Sequence, residues 1–360
     1  MAKTETTVAD TGAARPDVPG IDQGKVGAWL VNHVAGSTPP FSYHLVAGGR
    51  SNLTFQVDDA AGQTYCLRRP PVSHVLPTAH DMAREYRVIS ALGPTEVPVP
   101  AALGICEDTE VNGAPFYVME FVAGAVLRDR AAAESSFDEP TRRSIGPHMA
   151  DTLAKLHAVD VDAVGLGDLG RRSGYIERQL RRWTEQYSKM TVPGVDHGGL
   201  VEQVGEALAA SVPPQHSTTI VHGDYRLDNV VLGPEGDVAA ILDWEICTLG
   251  DPMADVGLLM VYWGSSDDAQ PLLGMAPPTS AAGFSSRQQV LERYTEASGR
   301  DVGDVAYFMA FGYWKLACIL QGVYARYLGG AGAGDQGSVE EFPSTISYLA
   351  RTAADTLEDR

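Results

Sequence analysis

The chain changes its periodicity part-way along, and that change limits the fold more than any other feature. Its first third is written in short strand-like runs. "FSYHLVAGG" and "NLTFQV" bracket a glycine turn, and "QTYCLRRP" follows the turn residues "DDAAG". Pro70 and Pro71 end that third run. "TAHDMAREYRVISALG" then sets Met82, Tyr86, Ile89 and Leu92 on one stripe, which predicts a helix stopping at Gly93-Pro94. "AALGICED" and "PFYVMEFVAG" predict two more strands, with Asn112-Gly113 between them as a hairpin signal.

The remainder is mostly helical. "RRSIGPHMADTLAKLHAVD" stripes Ile145, Met149, Leu153 and Leu156. Further helices are predicted over about 173–188, 199–211, 287–298, 305–328 and 344–357. Short strands, "TIVHGD", "NVVLG" and "VAAILDW", sit among them, and Gly264–Ser286 reads as a surface loop or lid. The break falls near Val122–Leu127. Strands first and helices second imply an α+β chain: a disordered tail over 1–20, a β-rich lobe over 21–121 and a larger, mainly helical lobe over 122–360. The stripe in "VAYFMAFGYWKLACILQGVYARY" suits a core better than a ligand wall, and Trp263 stands where it could border a cleft.

Bulk properties exclude several classes. With 46 acidic against 27 basic residues, the formal charge of −19 repels a phosphate backbone, so no nucleic-acid partner is expected. No window approaches the length of a membrane span, and the start lacks the charged-then-apolar order of a signal peptide. Cys66, Cys106, Cys247 and Cys318 are far apart, which argues against a zinc site or a disulfide framework and fits a cytoplasmic location. No feature specifies an oligomeric state.

The densest chemical signal is "VHGDYRLDNVVL" followed by "AAILDWE". Asp224 and Asn229 are five apart, and Asp243 follows fourteen residues later. Phosphoryl transfer asks for a carboxylate near the attacking hydroxyl and for oxygen ligands to Mg2+ on the phosphates. Kinase catalytic loops share the His-x-Asp-x-x-x-x-Asn spacing, with a metal-binding Asp on the next hairpin. On that pattern Asp224 accepts the hydroxyl proton or orients the hydroxyl, while Asn229 and Asp243 hold the metal. Asp and Asn are also ordinary turn residues, but these three motifs in this order are not what turns alone require.

The stretch from His222 to Asp255 resembles the aminoglycoside phosphotransferase and choline kinase superfamily, relatives of the protein kinases. "DWE" stands where protein kinases have Asp-Phe-Gly, and "ICTLGDPMADVG" is similar to the same superfamily. "GYIERQLRRW" and "GDPMADVGLL" look like the kinase-like domain that some acyl-CoA dehydrogenases carry at their N-terminus, and like its free-standing bacterial relatives. The resemblance runs from about Gly36 onward. It implies a protein-kinase-like two-lobed fold, ATP and Mg2+ as cofactors, and a small-molecule hydroxyl as acceptor. It also implies that His222 braces the catalytic loop and that Asp255 supports it. Asp228 is not distinguished by spacing from a solvated loop acid.

The same resemblance guides the search upstream. "AGGRSNLTF" joins two strands, so the backbone of Gly48, Gly49, Arg50, Ser51 and Asn52 could cover phosphates, although it lacks the Gly-x-Gly-x-x-Gly spacing. Arg68 occupies the place of the usual phosphate-contacting lysine, and arginine can serve two phosphate oxygens at once. A one-residue shift of register would put Arg69 there instead. Glu85 is the candidate ion-pair partner on the following helix. Met119 would line the adenine pocket, with backbone groups of Glu120 and Val122 offered to the base.

The acceptor is less constrained. Arg171, Arg172, Arg178, Arg181 and Arg182 form the densest basic cluster, suited either to an anion such as the phosphates of a coenzyme A thioester or to a solvated helix face. The acyl-CoA dehydrogenase-linked branch favours a hydroxyacyl or hydroxyacyl-CoA substrate over an aminoglycoside, for which Glu292, Glu296 and Asp301 are the available acids. A nucleotide-binding pseudokinase module is a further alternative, and Arg68 alone speaks for it. A protein kinase is disfavoured because no Ala-Pro-Glu segment follows Asp243.

Overall fold

The structure is a computed structural model describing residues 18–47, 52–72, 81–190, 192, 197–264, 276–329 and 341–359. Its backbone packing divides the chain into two compact units, one of residues 1–83 with 103–121 and the other of residues 84–102 with 122–360.

The first unit opens with helix α1 (Gln23–His33) and strands β1 (Ser42–Ala47), β2 (Leu53–Asp58) and β3 (Thr64–Arg69). After helix α2 (Met82–Leu92) come β4 (Ala102–Cys106), the short helix α3 (Thr109–Asn112) and β5 (Phe116–Glu120). The five strands form one sheet in the order β1-β2-β3-β5-β4. β3 lies between β2 and β5, antiparallel to both, with Arg68 opposite Thr54 and Tyr117. All five strands expected from the sequence are present.

Two local features differ from expectation. Helix α1 went unpredicted because Gly24 and Gly27 lower its intrinsic propensity. The helix forms because Asp22 caps it, accepting from the Lys25 N–H at 3.0 Å, and because Val26, Trp29 and Leu30 are buried. Trp29 stands edge-on to Phe116 with ring centroids 4.9 Å apart, and burying such side chains contributes about 1.5–3 kcal/mol each. Asn112-Gly113 is not a two-residue hairpin turn but the end of α3. Gly113 closes that helix in the left-handed conformation, and the buried Asn112 accepts from the Asp22 N–H at 2.9 Å.

The second unit holds α4 (Arg130–Ser136), α5 (Glu139–Ala158), α6 (Tyr175–Lys189) and α7 (Leu200–Ala210). Strands β6 (Thr219–Val221), β7 (Val230–Leu232), β8 (Val238–Ile241) and β9 (Thr248–Gly250) follow. Then come α8 (Met253–Tyr262), α9 (Arg287–Ser298), α10 (Val305–Leu328) and α11 (Phe342–Glu358). β6 pairs with β9 and β7 with β8, both antiparallel. Most of α2 packs with this unit, where Arg84 donates to the carbonyls of Leu169 and Cys247 at 2.7 Å each.

α10 is the spine of the second unit. Its aromatic stripe is core: Tyr307, Phe308, Phe311, Tyr313 and Trp314 are all buried. Trp314 donates its indole N–H to the Val201 carbonyl at 2.8 Å. The α8 backbone approaches α10 so closely at Gly257 that a Cβ there would lie 2.5 Å from Phe308. Trp263 is likewise buried and donates to the Ser285 carbonyl at 2.8 Å. Residues 265–275 of the expected surface loop lie outside the described residues, and its far end carries a short 3-10 turn at Pro278–Ser280.

Candidate active site

The loop after β6 is braced first through its backbone. Asp255, fully buried on the first turn of α8, accepts from the His222 and Gly223 N–H groups at 2.7 Å each. His157 of α5 approaches the same carboxylate at 3.4 Å. Burial by itself would raise the Asp255 pKa, but the hydrogen bond from His157 and the Gly223 N–H outweigh it and hold the carboxyl below its usual range. Burial works the other way on His157 and keeps its imidazole below the usual value.

His222 ties this loop to the next strand end. Its Nε2 lies 2.8 Å from the Leu242 carbonyl, and its Nδ1 lies 3.3 Å from the Asp224 backbone nitrogen. The two partners assign the tautomer: Nε2–H donates to Leu242, and Nδ1 accepts from Asp224. The His222 ring also meets Trp244 edge-on at 4.8 Å. Gly223 takes φ +85°, where a Cβ would be strained and would meet Ile246 at 3.1 Å. Tyr225 anchors the loop below, donating its hydroxyl to the Met149 carbonyl at 3.0 Å.

Asp224, Asn229 and Asp243 are gathered around that brace. A 3-10 turn over Leu227–Asn229 brings Asn229 back so that its Nδ2 donates to the Asp224 carboxylate at 2.8 Å and to the Asp224 carbonyl at 2.9 Å. Both amide hydrogens are thereby committed to Asp224, which leaves Oδ1 as the acceptor atom of this side chain. The Leu242 N–H donates to the Asn229 carbonyl at 2.8 Å, which sets Asp243 one residue beyond this contact. Asp243 has φ 62° and is the only non-glycine with a positive φ among the described residues. Strain of that kind collects at functional positions.

An amide oxygen and a carboxylate are hard donors suited to Mg2+, which prefers one or two protein oxygens together with those of phosphates. Among the described residues no group of three or more His, Cys, Asp and Glu could hold a metal alone.

Two residues beside Asp224 escaped the sequence reading. Arg226 lies 3.4 Å from the Asp224 carboxylate, pairs with Asp228 and stacks over the Tyr262 ring at 4.6 Å. Burial would lower its pKa, but Tyr262, Asp224 and Asp228 outweigh that and raise it. Asp228 is thus a paired acid with its pKa raised by burial, not a solvated one. Lys315 of α10, the second, donates to the Gly223 carbonyl at 3.0 Å. A lone lysine between the aromatic stripe and the Leu316–Leu320 run was the available signal.

Arg226 and Asp228 also border a cleft of about 170 Å³, whose apolar wall is built by Leu127, Leu259, Trp263 and Pro278. The chain enters the second unit just before this wall. Gly124 lies against the Leu232 carbonyl, which a Cβ would approach to 2.4 Å.

The other expected residues divide by unit. In the first, Arg69 is spent on structure, donating to the carbonyls of Gly20, Asn112 at 3.2 Å and Pro70 at 3.0 Å. Arg68, its neighbour in β3 and therefore on the opposite face, is buried. Asn52 is buried, Met119 is buried opposite Cys66, and Glu120 is exposed. Gly48, Gly49, Arg50 and Ser51 lie outside the described residues.

In the second unit, Glu85 is fully buried on α2 and Val122 is half-buried. The arginine cluster is partly committed: Arg172 pairs with Asp162, and Arg178 donates to the carbonyls of Ser173 and Arg171. Arg171, Arg181 and Arg182 are exposed. Glu292 and Glu296 bond to Gln288 and Arg293 of their own helix, and Asp301 accepts from the Gly303 N–H, so none of these acids lines the cleft.

Residues 42–277, which include Arg68, Asp224, Asn229, Asp243 and Asp255, match the phosphotransferase enzyme family. The chain belongs to that family. As a phosphotransferase it is 34% identical to acyl-CoA dehydrogenase family member 11 of Gallus gallus over 91% of its own length. It spans less than half of that relative, 42%. Among solved structures, a candidate aminoglycoside phosphotransferase of Ralstonia eutropha is 33% identical with a TM-score of 0.78, covering 94% of this chain and 98% of that one. Choline kinase of Cryptosporidium parvum shares the fold alone, at 13% identity and a TM-score of 0.66 over 94% of this chain and 97% of that one. The phosphotransferase thus has the protein-kinase-like α+β fold, with a small β-rich lobe and a larger helical one. No helix among its described residues is long and apolar enough to cross a membrane.

Proposed function

We propose that this phosphotransferase moves the γ-phosphate of ATP to the hydroxyl of a small acyl-bearing molecule, a hydroxyacyl or hydroxyacyl-CoA compound. The observation that carries the acceptor class is the cleft beside Asp224. Its apolar wall suits an alkyl chain, and the Arg226 guanidinium at its edge suits an acyl oxygen or another anion. A polycationic aminoglycoside would need acids, and Asp228, the acid there, is already paired with Arg226. The likeness to an acyl-CoA dehydrogenase family member points the same way.

In this reading Asp224 receives the acceptor O–H, orients the oxygen towards the γ-phosphorus and takes up its proton as the new P–O bond forms and ADP leaves. Asn229 Nδ2 and the Arg226 guanidinium both lie against Asp224 Oδ2, at 2.8 and 3.4 Å. Mg2+ bound by Asn229 and Asp243 would supply charge neutralisation for the phosphates. In the first unit, the backbone from Gly48 to Asn52 and the Arg68 side chain are assigned to phosphates, and Met119 and Glu120 to the adenine.

The test is ADP release from Mg-ATP by the purified chain, with one pool of hydroxyacyl-CoA thioesters and another of aminoglycosides. Release confined to the thioester pool is expected. Release confined to the aminoglycosides overturns the acceptor class, and silence in both favours a nucleotide-binding module without turnover.

A further inference from the structure

Lys315 is buried within α10, surrounded by Tyr175, Leu258 and Phe311, and its ammonium sits 6.0 Å from the Trp183 ring centroid. A buried ammonium is costly, and neighbouring positions of α10 are filled by apolar residues that avoid the cost. Its hydrogen-bond partner is not a carboxylate but the backbone carbonyl of Gly223, at 3.0 Å.

That carbonyl belongs to the peptide group whose N–H is that of Asp224. A trans peptide directs its C=O and N–H to opposite sides. Lys315 grips this plane from the carbonyl side, while His222 Nδ1 accepts from the Asp224 N–H at 3.3 Å on the other. The preceding peptide is held by Asp255 through the Gly223 N–H. Gly223, with φ +85°, is the pliable joint between the two planes. With both planes fixed, and the next peptide held where the Asp224 carbonyl accepts from Asn229 Nδ2 at 2.9 Å, the direction in which the Asp224 side chain leaves the backbone is fixed as well.

We propose that Lys315 is a positioning residue for phosphoryl transfer, aiming the Asp224 carboxylate by clamping the Gly223–Asp224 peptide from its carbonyl side. The inference rests on the phosphotransferase reading of Asp224 given above. Charge acts in the same direction: burial lowers the Lys315 pKa, and Asp224 and Asp255 pull it back up, so the ammonium also offsets the two carboxylates nearest the loop.

The full chain carrying Lys315→Met, compared with wild type, tests the proposal by two measurements. One is the rate of ADP release from Mg-ATP with the hydroxyacyl-CoA pool; the other is hydrogen–deuterium exchange. The expected result is a kcat lowered about 10- to 100-fold with the KM for ATP within about twofold, because only the aim of the carboxylate is lost. Amide exchange should quicken in peptides covering His222–Asn229 and not elsewhere. Lys315→Gln, polar but one bond shorter, should behave in the same way and serves if the methionine variant does not fold. A kcat within about twofold of wild type, or unchanged exchange over 222–229, overturns the proposal. If wild type shows no Asp224-dependent turnover, the kinase reading fails on its own, and the exchange data still decide whether Lys315 holds the loop.

Discussion

Asn229 spends both hydrogens of its side-chain amide on Asp224, one on the carboxylate at 2.8 Å and one on the carbonyl at 2.9 Å. A single residue thereby fixes the proposed base, and its Oδ1 is the atom proposed for the metal. Asn229→Ala should lower ATP-dependent turnover about 100-fold and raise the Mg2+ concentration for half-maximal rate about tenfold. A Mg2+ titration of ADP release measures both, and an unchanged Mg2+ dependence removes Asn229 from the metal site.

Acid should loosen the catalytic loop in two stages. The pKa of His157 is lowered by burial, so the unfolded chain binds a proton that the folded one does not, and stability falls as pH drops through the ordinary value of 6.5. The carboxyl of Asp255 is held low in the folded state, so its contribution is present above the ordinary value of 3.8 and is lost as pH falls below it through the folded value. Thermal melts from pH 8 to pH 3 should show both declines. Asp255→Asn should cost about 3 kcal/mol at neutral pH and flatten the lower one.

Neighbouring arginines of β3 should separate stability from nucleotide binding. Arg69→Ala removes a donor to three backbone carbonyls and should cost about 2 kcal/mol, read as a lower denaturant midpoint. Arg68→Met should instead weaken ATP binding about tenfold, measured by titration calorimetry. Equal effects of the two substitutions on ATP affinity would reject the assignment of Arg68.

The sequence made the five strands, the long helices and the order His222, Asp224, Asn229, Asp243 legible, because alternation, helical stripes and motif spacing are local properties. What it hid depends on tertiary contact. Helix α1 exists because Trp29 finds Phe116, despite two glycines that argue against it. Lys315 lies 92 residues from Gly223, and no spacing rule joins them. Arg226 stood in plain view inside "HGDYRLDN", but its pairing with Asp228 and its stacking on Tyr262 emerge only when α8 packs beside the loop. The bonds from Arg69 to the carbonyls of Gly20 and Asn112 depend on which face of β3 it occupies, a matter of register that one strand cannot reveal by itself.

Whether Asp224 performs the chemistry is read from ADP release and Mg-ATP affinity of Asp224→Ala beside wild type, under the same conditions. The account predicts a rate lower by about 100- to 10,000-fold with nucleotide affinity largely kept. Turnover close to that of wild type would contradict it.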